Sequence, residues 1–194
     1  MTLPIIDGTG KGYMARVTAN SRLGVDAITL RGEEDAIRIG EGWQIASAPV
    51  SFTGSVSSAI LYLKNTGELD LVLDRAVLVL GSTDGTGDWT FQTLRNPTAG
   101  SIVTHAVAAG ISNSNHGSNK TPIALAYRGV EADTLTDGTG APLPIQQTQN
   151  RTVFPLGRRL PTNTSIGWKL TPPSGNTSCT AVLVTHFYYD TARL

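Results

Sequence analysis

The tetrapeptide Asp-Gly-Thr-Gly occurs three times in this chain, at residues 7–10, 84–87 and 137–140. Glycine-rich loops of this kind cradle phosphate when they follow a strand and open a helix, with Lys and Ser or Thr behind them. The first copy has Lys11 behind it, but Tyr13, Arg16 and Val17 read as strand rather than helix. The second runs into "DWTF" and the third into "APLP", so neither opens a helix. Without a helix, the glycines supply positive φ at low cost and the Asp closes its own turn. All three are therefore expected to be turns that bind neither nucleotide nor metal. Asp84 and Asp88 are the best-placed carboxylates for calcium, but that ion takes about six to eight oxygens. No neighbouring acid completes such a shell.

The other reactive side chains are scattered. His105 and His186 sit in strand-like runs, "VTHAV" and "VTHFYY", and His116 sits in an Asn-rich segment. No two of them have a zinc-ligand spacing, and there is no Cys cluster beside them. Ser, His and Asp are present, but no Gly-x-Ser-x-Gly elbow presents a nucleophile. Cys179 is the single cysteine, which rules out an internal disulfide. Between "NTS" and "TAVLV" it reads as a small buried residue rather than a thiolate. The sequence predicts no catalytic residue, no metal and no cofactor, and hence no enzyme.

The composition points the same way. Of the 194 residues 40% are apolar, enough for a real core, while only 15% are charged and 21 are glycine. That exchange of charge for Gly, Ser, Thr and Asn suits an all-β chain with many turns and surfaces covered by partners. Fifteen basic residues balance fifteen acidic ones, so there is no electrostatic footprint for nucleic acid or an anionic membrane. No apolar run approaches the roughly 20 residues of a membrane span. "MTLPIIDGTG" has no basic region followed by an apolar one, so a secretory signal is not expected. The sequons at Asn119, Asn150, Asn163 and Asn176 are accordingly expected to be accidental, and the chain to be made in a reducing cytoplasm.

Two regions differ in pattern. Residues 1–42 hold short apolar islands around Tyr13, Met14, Arg16 and Val17, at Leu23, and around Ile28 and Leu30, separated by polar or Gly-containing stretches. Such islands cannot bury themselves, so this segment is expected to be an extended arm whose strands pair with a partner. Within it only "EEDAIRI" suggests a helical turn. From Trp43 to the end, runs such as "SAILYLKNT", "LDLVLDRAVLVLG", "DWTFQTLRN", "SIVTHAVAAG", "IALAYRG", "RTVFPLG", "SIGWKLTPP" and "SCTAVLVTHFYYD" read as strands between turn signals. Residues 65–68, "NTGE", are expected to close a hairpin. The prediction for 43–194 is an all-β antiparallel β-sandwich, with a jelly roll as the expected form.

Several side chains have a bland and a functional reading. Trp43, Trp89 and Trp168 lie on separate strands beside apolar neighbours, which places them in the core rather than on a carbohydrate platform. Tyr188 and Tyr189 must face opposite ways, so one can reach a partner. "ISNSNHGSNK" reads as a polar loop with no reason to pack, and Asn113, Asn115, His116 and Asn119 as its exposed tip. Arg158 and Arg159 are solvated or bind an acidic neighbour.

"DGTGKGYMARVTANSRLGVDA", "AILYLKNTGELDLVL" and "GWKLTPPSGNTSCTAVLV" together resemble structural proteins of tailed bacteriophages, over nearly the whole chain. The resemblance implies a virion component without catalytic residues, found in the virion and made in the host cytoplasm. It leaves capsid-decoration, neck and baseplate roles open. The expected function is a decoration or cement protein, held through Tyr13, Met14, Arg16, Val17, Leu23, Ile28 and Leu30. Its expected partners are its own copies, as a homotrimer, and other virion proteins such as the major capsid protein. A carbohydrate- or receptor-binding tail module is the rival, and a sandwich hydrolase comes third.

Overall fold

The computed structural model describes residues 16–17, 23–24, 32–104, 107–146 and 150–189. The chain divides into two compact units, Met1–Arg31 and Gly32–Leu194. In the first, β1 (Arg16–Val17) pairs antiparallel with β2 (Leu23–Gly24), Arg16 opposite Gly24 and Val17 opposite Leu23. Those two islands thus pair with each other. Tyr13, Met14, Ile28 and Leu30 lie outside the described residues.

The second unit begins with α1 (Gly32–Arg38), so residues 32–42 belong with the sandwich. Glu33, Glu34 and Asp35 occupy its first turn and Arg38 its last, the arrangement that complements the helix dipole. Gly40, at φ 78°, ends it: the Gly40 and Glu41 amides donate to the carbonyls of Ile37 and Ala36.

The strands that follow are β3 (Gly42–Ala46), β4 (Val50–Phe52), β5 (Ser58–Asn65), β6 (Leu71–Leu80) and β7 (Trp89–Arg95). A one-turn helix, α2 (Ser101–Thr104), precedes β8 (Val107–Ala108), β9 (Ile111–Asn113) and β10 (Ala124–Arg128). The chain then forms β11 (Pro142–Ile145), β12 (Arg151–Leu160), β13 (Ser165–Thr171) and β14 (Cys179–Tyr189). They make two antiparallel sheets, ordered β11-β7-β13-β5-β10-β8 and β12-β6-β14-β3-β9, with β4 also on β14. This is the predicted all-β sandwich. From β4 to β14 the chain changes sheet at each major connection except the one from β7 to β11, where β8–β10 are inserted.

Alternation builds the core. Trp89 and Phe91 of β7, Ile166, Trp168 and Leu170 of β13, and Leu183 and Phe187 of β14 all point between the sheets. The three tryptophans are buried there, as their apolar neighbours predict. A second, smaller core lies on the outer face of the first sheet, where Ile102 and Leu135 cover Ala59, Tyr62 and Leu94.

Two expectations are corrected, and one unassigned segment is placed. "NTGE" closes no hairpin, because β5 and β6 belong to different sheets. It is an arch held by Asn65, whose Nδ2 donates to the Leu69 and Leu160 carbonyls at 2.8 Å while its Oδ1 accepts from the Gly67 amide. "SIVT" is helix rather than strand: Gly100 sits at φ 127°, where a Cβ would lie 2.2 Å from the Thr134 oxygen. Ser101 then anchors the turn through its amide to Thr134 and its hydroxyl to Asp133, and Ile102 drops into the second core. "PLPI", which the sequence left unassigned behind the third Asp-Gly-Thr-Gly, is the edge strand β11 on β7. Prolines are tolerated at such an edge because their missing N–H groups need not serve the ladder.

Candidate functional sites

The two described Asp-Gly-Thr-Gly segments each knit distant pieces together. Asp84 reaches well beyond its own turn. Its Oδ1 accepts the Thr177 and Ser178 amides at 2.8 and 3.2 Å, and its Oδ2 takes the Thr177 hydroxyl. These bonds, the Thr177 hydroxyl's foremost, hold its carboxyl down at about 2. Both carboxylate oxygens are thereby spent on the loop before β14, and Asp88 is exposed beyond it. In the third copy Thr139 and Arg95 exchange both backbone bonds, at 2.8 and 3.1 Å. Gly140 passes so close to β7 that a Cβ would lie 2.0 Å from the Thr93 oxygen. The first copy lies outside the described residues. Among the described residues no three His, Cys, Asp or Glu side chains gather as a metal site would require.

The remaining titratable groups are dispersed. Cys179 is buried in the core, and burial pushes its thiol up to about 11, so it stays protonated. His186 lies on the opposite face of β14, beneath α1. There Glu33 accepts from Arg75 at 2.7 Å and stands 3.5 Å from His186 Nδ1. Burial raises the Glu33 pKa and lowers that of His186. This cluster pins α1 to the sheet. Tyr188 also packs against the start of α1, its hydroxyl under Gly32, while Tyr189 turns inward to Trp43, ring centroids 5.3 Å apart. His105 lies outside the described residues.

The Asn-rich segment is more ordered than its composition suggests. Asn113 is the last residue of β9, opposite Trp43 on β3. Its Nδ2 donates to the carbonyls of Gly40 and Lys120, and its Oδ1 accepts the Asn115 amide at 2.8 Å. Asn115 in turn accepts the Gly117 amide. Both side chains are half-buried and committed to the loop, whereas His116 and Asn119 are exposed. The predicted tip therefore reduces to those two side chains. Asn side chains bonding two residues ahead are the signal that sequence reasoning passed over.

Arg158 and Arg159 part company. Strand alternation sends Arg159 outward, 3.9 Å from Asp70, and Arg158 to the inner side shared with Phe154, Leu156 and Leu160. Opposite it, Arg95 lies on the inner side of β7, in line with Trp89 and Phe91. These two arginines line an open cleft of about 500 Å³ where the edge strands β11 and β12 diverge. Its floor is the stacked pair Phe91 and Phe154, centroids 4.7 Å apart. Sequence alone could not place two residues from different sheets together.

Part of the outer face of the second sheet is apolar. Val153, Val77, Val184 and Ala46 form one cross-strand row, with Val79 and Val182 beside it. Val79 and Val153 are 42% and 48% exposed, high for valine on a sheet face.

No family model and no curated protein matches this chain. A solved structure of the T13 IBDV viral particle aligns with 78% of it and with 40% of that particle's chain, at 9% identity and a TM-score of 0.22. The chain thus spans less than half the length of that protein, and a likeness of this size carries no argument about family or role.

Proposed function

We propose that this chain is a virion structural protein of a tailed bacteriophage, a decoration or cement module with a jelly-roll body. The observation that carries the reading is the division of the chain at Arg31/Gly32 into a small N-terminal unit and a sandwich. The residues of the resemblance divide the same way, with "DGTGKGYMARV" in the small unit and "AILYLKNTGELDLVL" in the sandwich. The body's strand orders, β3-β14-β6-β12 and β5-β13-β7-β11, are those of two interleaved Greek keys, which favours the jelly roll. The first unit is the anchor. Tyr13, Met14, Arg16, Val17, Leu23, Ile28 and Leu30 bind neighbours in the particle, the major capsid protein among them, by apolar burial and strand addition. The second sheet's valine face is where copies of the body meet, as a homotrimer.

The test is deletion of residues 1–31. The truncated protein is expected to keep its melting temperature within a few degrees and to lose attachment to particles in a sedimentation assay. A truncated protein that still decorates particles would move attachment to the sandwich; one that precipitates would make the first unit part of the core.

A further inference from the structure

We infer that the cleft between β7, β11 and β12 binds a carboxylated sugar, a uronate unit of an acidic glycan, through Arg95 and Arg158. The inference stands independently of the virion reading.

Four features support it. First, Arg95 and Arg158 line both this cleft and the groove that continues from it, and neither is lined by an Asp or Glu. Among the described residues neither guanidinium has a carboxylate within ion-pair distance, whereas Arg38, Arg75, Lys120 and Arg159 each have one. An anion seated in a cleft lined by two guanidinium groups and no carboxylate is attracted to both. Arginine forks present paired N–H donors that match a carboxylate in a bidentate way.

Second, the cleft is held in shape before any ligand arrives. The Arg95 backbone is clamped by its two bonds to Thr139, and Gln92 Nε2 donates to the Gly140 carbonyl at 3.1 Å. On the other wall Gly157, at φ 51°, accommodates the bulge between Pro155 and Arg158. That extra residue keeps Arg158 on the inner side.

Third, the walls suit a ring with one apolar face. Phe91 and Phe154 form the floor and Leu143, 48% exposed, stands at the lip. Thr93 and Thr139 add hydroxyls that can meet those of a sugar. Fourth, the edges disfavour an acidic peptide. Strand addition needs a row of free N–H groups, and β11 has proline at 142 and 144 while β12 has it at 155. A polysaccharide needs no such row.

The experiment is a calorimetric or NMR titration of the full chain with trigalacturonate, beside maltotriose, inorganic phosphate and a hexaglutamate peptide. Saturable binding of trigalacturonate in preference to the other three is expected, weakened by about tenfold in Arg95→Gln and in Arg158→Gln. Leu143→Asp, which sets a carboxylate at the exposed lip without touching either arginine, should weaken it as well. Melting curves identify any variant that fails to fold, and the remaining variants then decide. No binding, or binding unchanged in the folded variants, overturns the proposal. So does phosphate or hexaglutamate binding as tightly as the sugar, because the cleft would then take any small anion or an acidic peptide. None of these outcomes bears on particle attachment, which is read from the deletion of residues 1–31.

Discussion

Asp84 joins the loop after β6 to the loop before β14 with one carboxylate, and its effect can be read from pH. Its folded pKa, about 2, lies below the ordinary 3.8. A depressed carboxyl contributes stability that is whole above the ordinary value and lost as pH falls through the folded one. Asp84→Asn keeps one acceptor and removes the charge. It is expected to melt lower than the parent at pH 7, with the gap closing as pH is lowered from 3.8 toward 2. Thermal melts across that window check this, and a gap that stays constant would mean that the charge is not what matters. The sequence marked Asp84 as a turn residue, which is half of its role. Its partners stand 93 and 94 positions away, a distance that no turn rule spans.

At the scale of elements, period-two patterning showed which residues turn inward, and the structure follows it at Trp89, Phe91 and Trp168. What alternation cannot say is which sheet a strand joins. Residues 65–68 have the composition of a hairpin, and Asn65 makes them an arch because its buried side chain finds the Leu160 carbonyl on the far sheet. Asn65→Ala leaves two carbonyls and one amide without their partner, and a loss of about 2–4 kcal/mol in urea unfolding is expected. Asn65→Asp removes both donors and buries a charge, so it should cost at least as much. If both variants unfold like the parent, the arch is held by its backbone alone. The Arg95–Arg158 cleft was illegible for the same reason. Adjacent arginines suggested one basic pair, while the strand period separates them and an opposed sheet supplies the second member.

At the scale of the molecule, the row Val153, Val77, Val184 and Ala46 is a surface that water does not favour. Proline at 155 guards the edge of β12 against strand pairing, and Arg151, opposite Val79, borders the valine row at that edge. If copies associate there, Val79→Lys with Val153→Lys should convert a homotrimer to monomer while leaving the melting temperature nearly unchanged. Both positions are outward and exposed, so lysine fits without disturbing the core. Light scattering at micromolar concentration reads the result. A parent protein of monomer mass, or a double variant that remains trimeric, would remove this face as the interface.

The position of β14 also bears on how the chain is made. It lies between β6 on one side and β3 and β4 on the other, so the second sheet has no centre without it. A ribosome releases β3, β4 and β6 well before residues 179–189. Until those residues emerge, the nascent polypeptide carries the valine-rich β6 with one flank open, the kind of edge on which unfinished chains aggregate. Closure of the sandwich therefore waits for β14, and its pace is set by pairings between segments far apart in the chain, which form slowly. Heavy expression would accumulate these half-sheets, so yield should depend on translation rate and on chaperones more than on the stability of the finished fold.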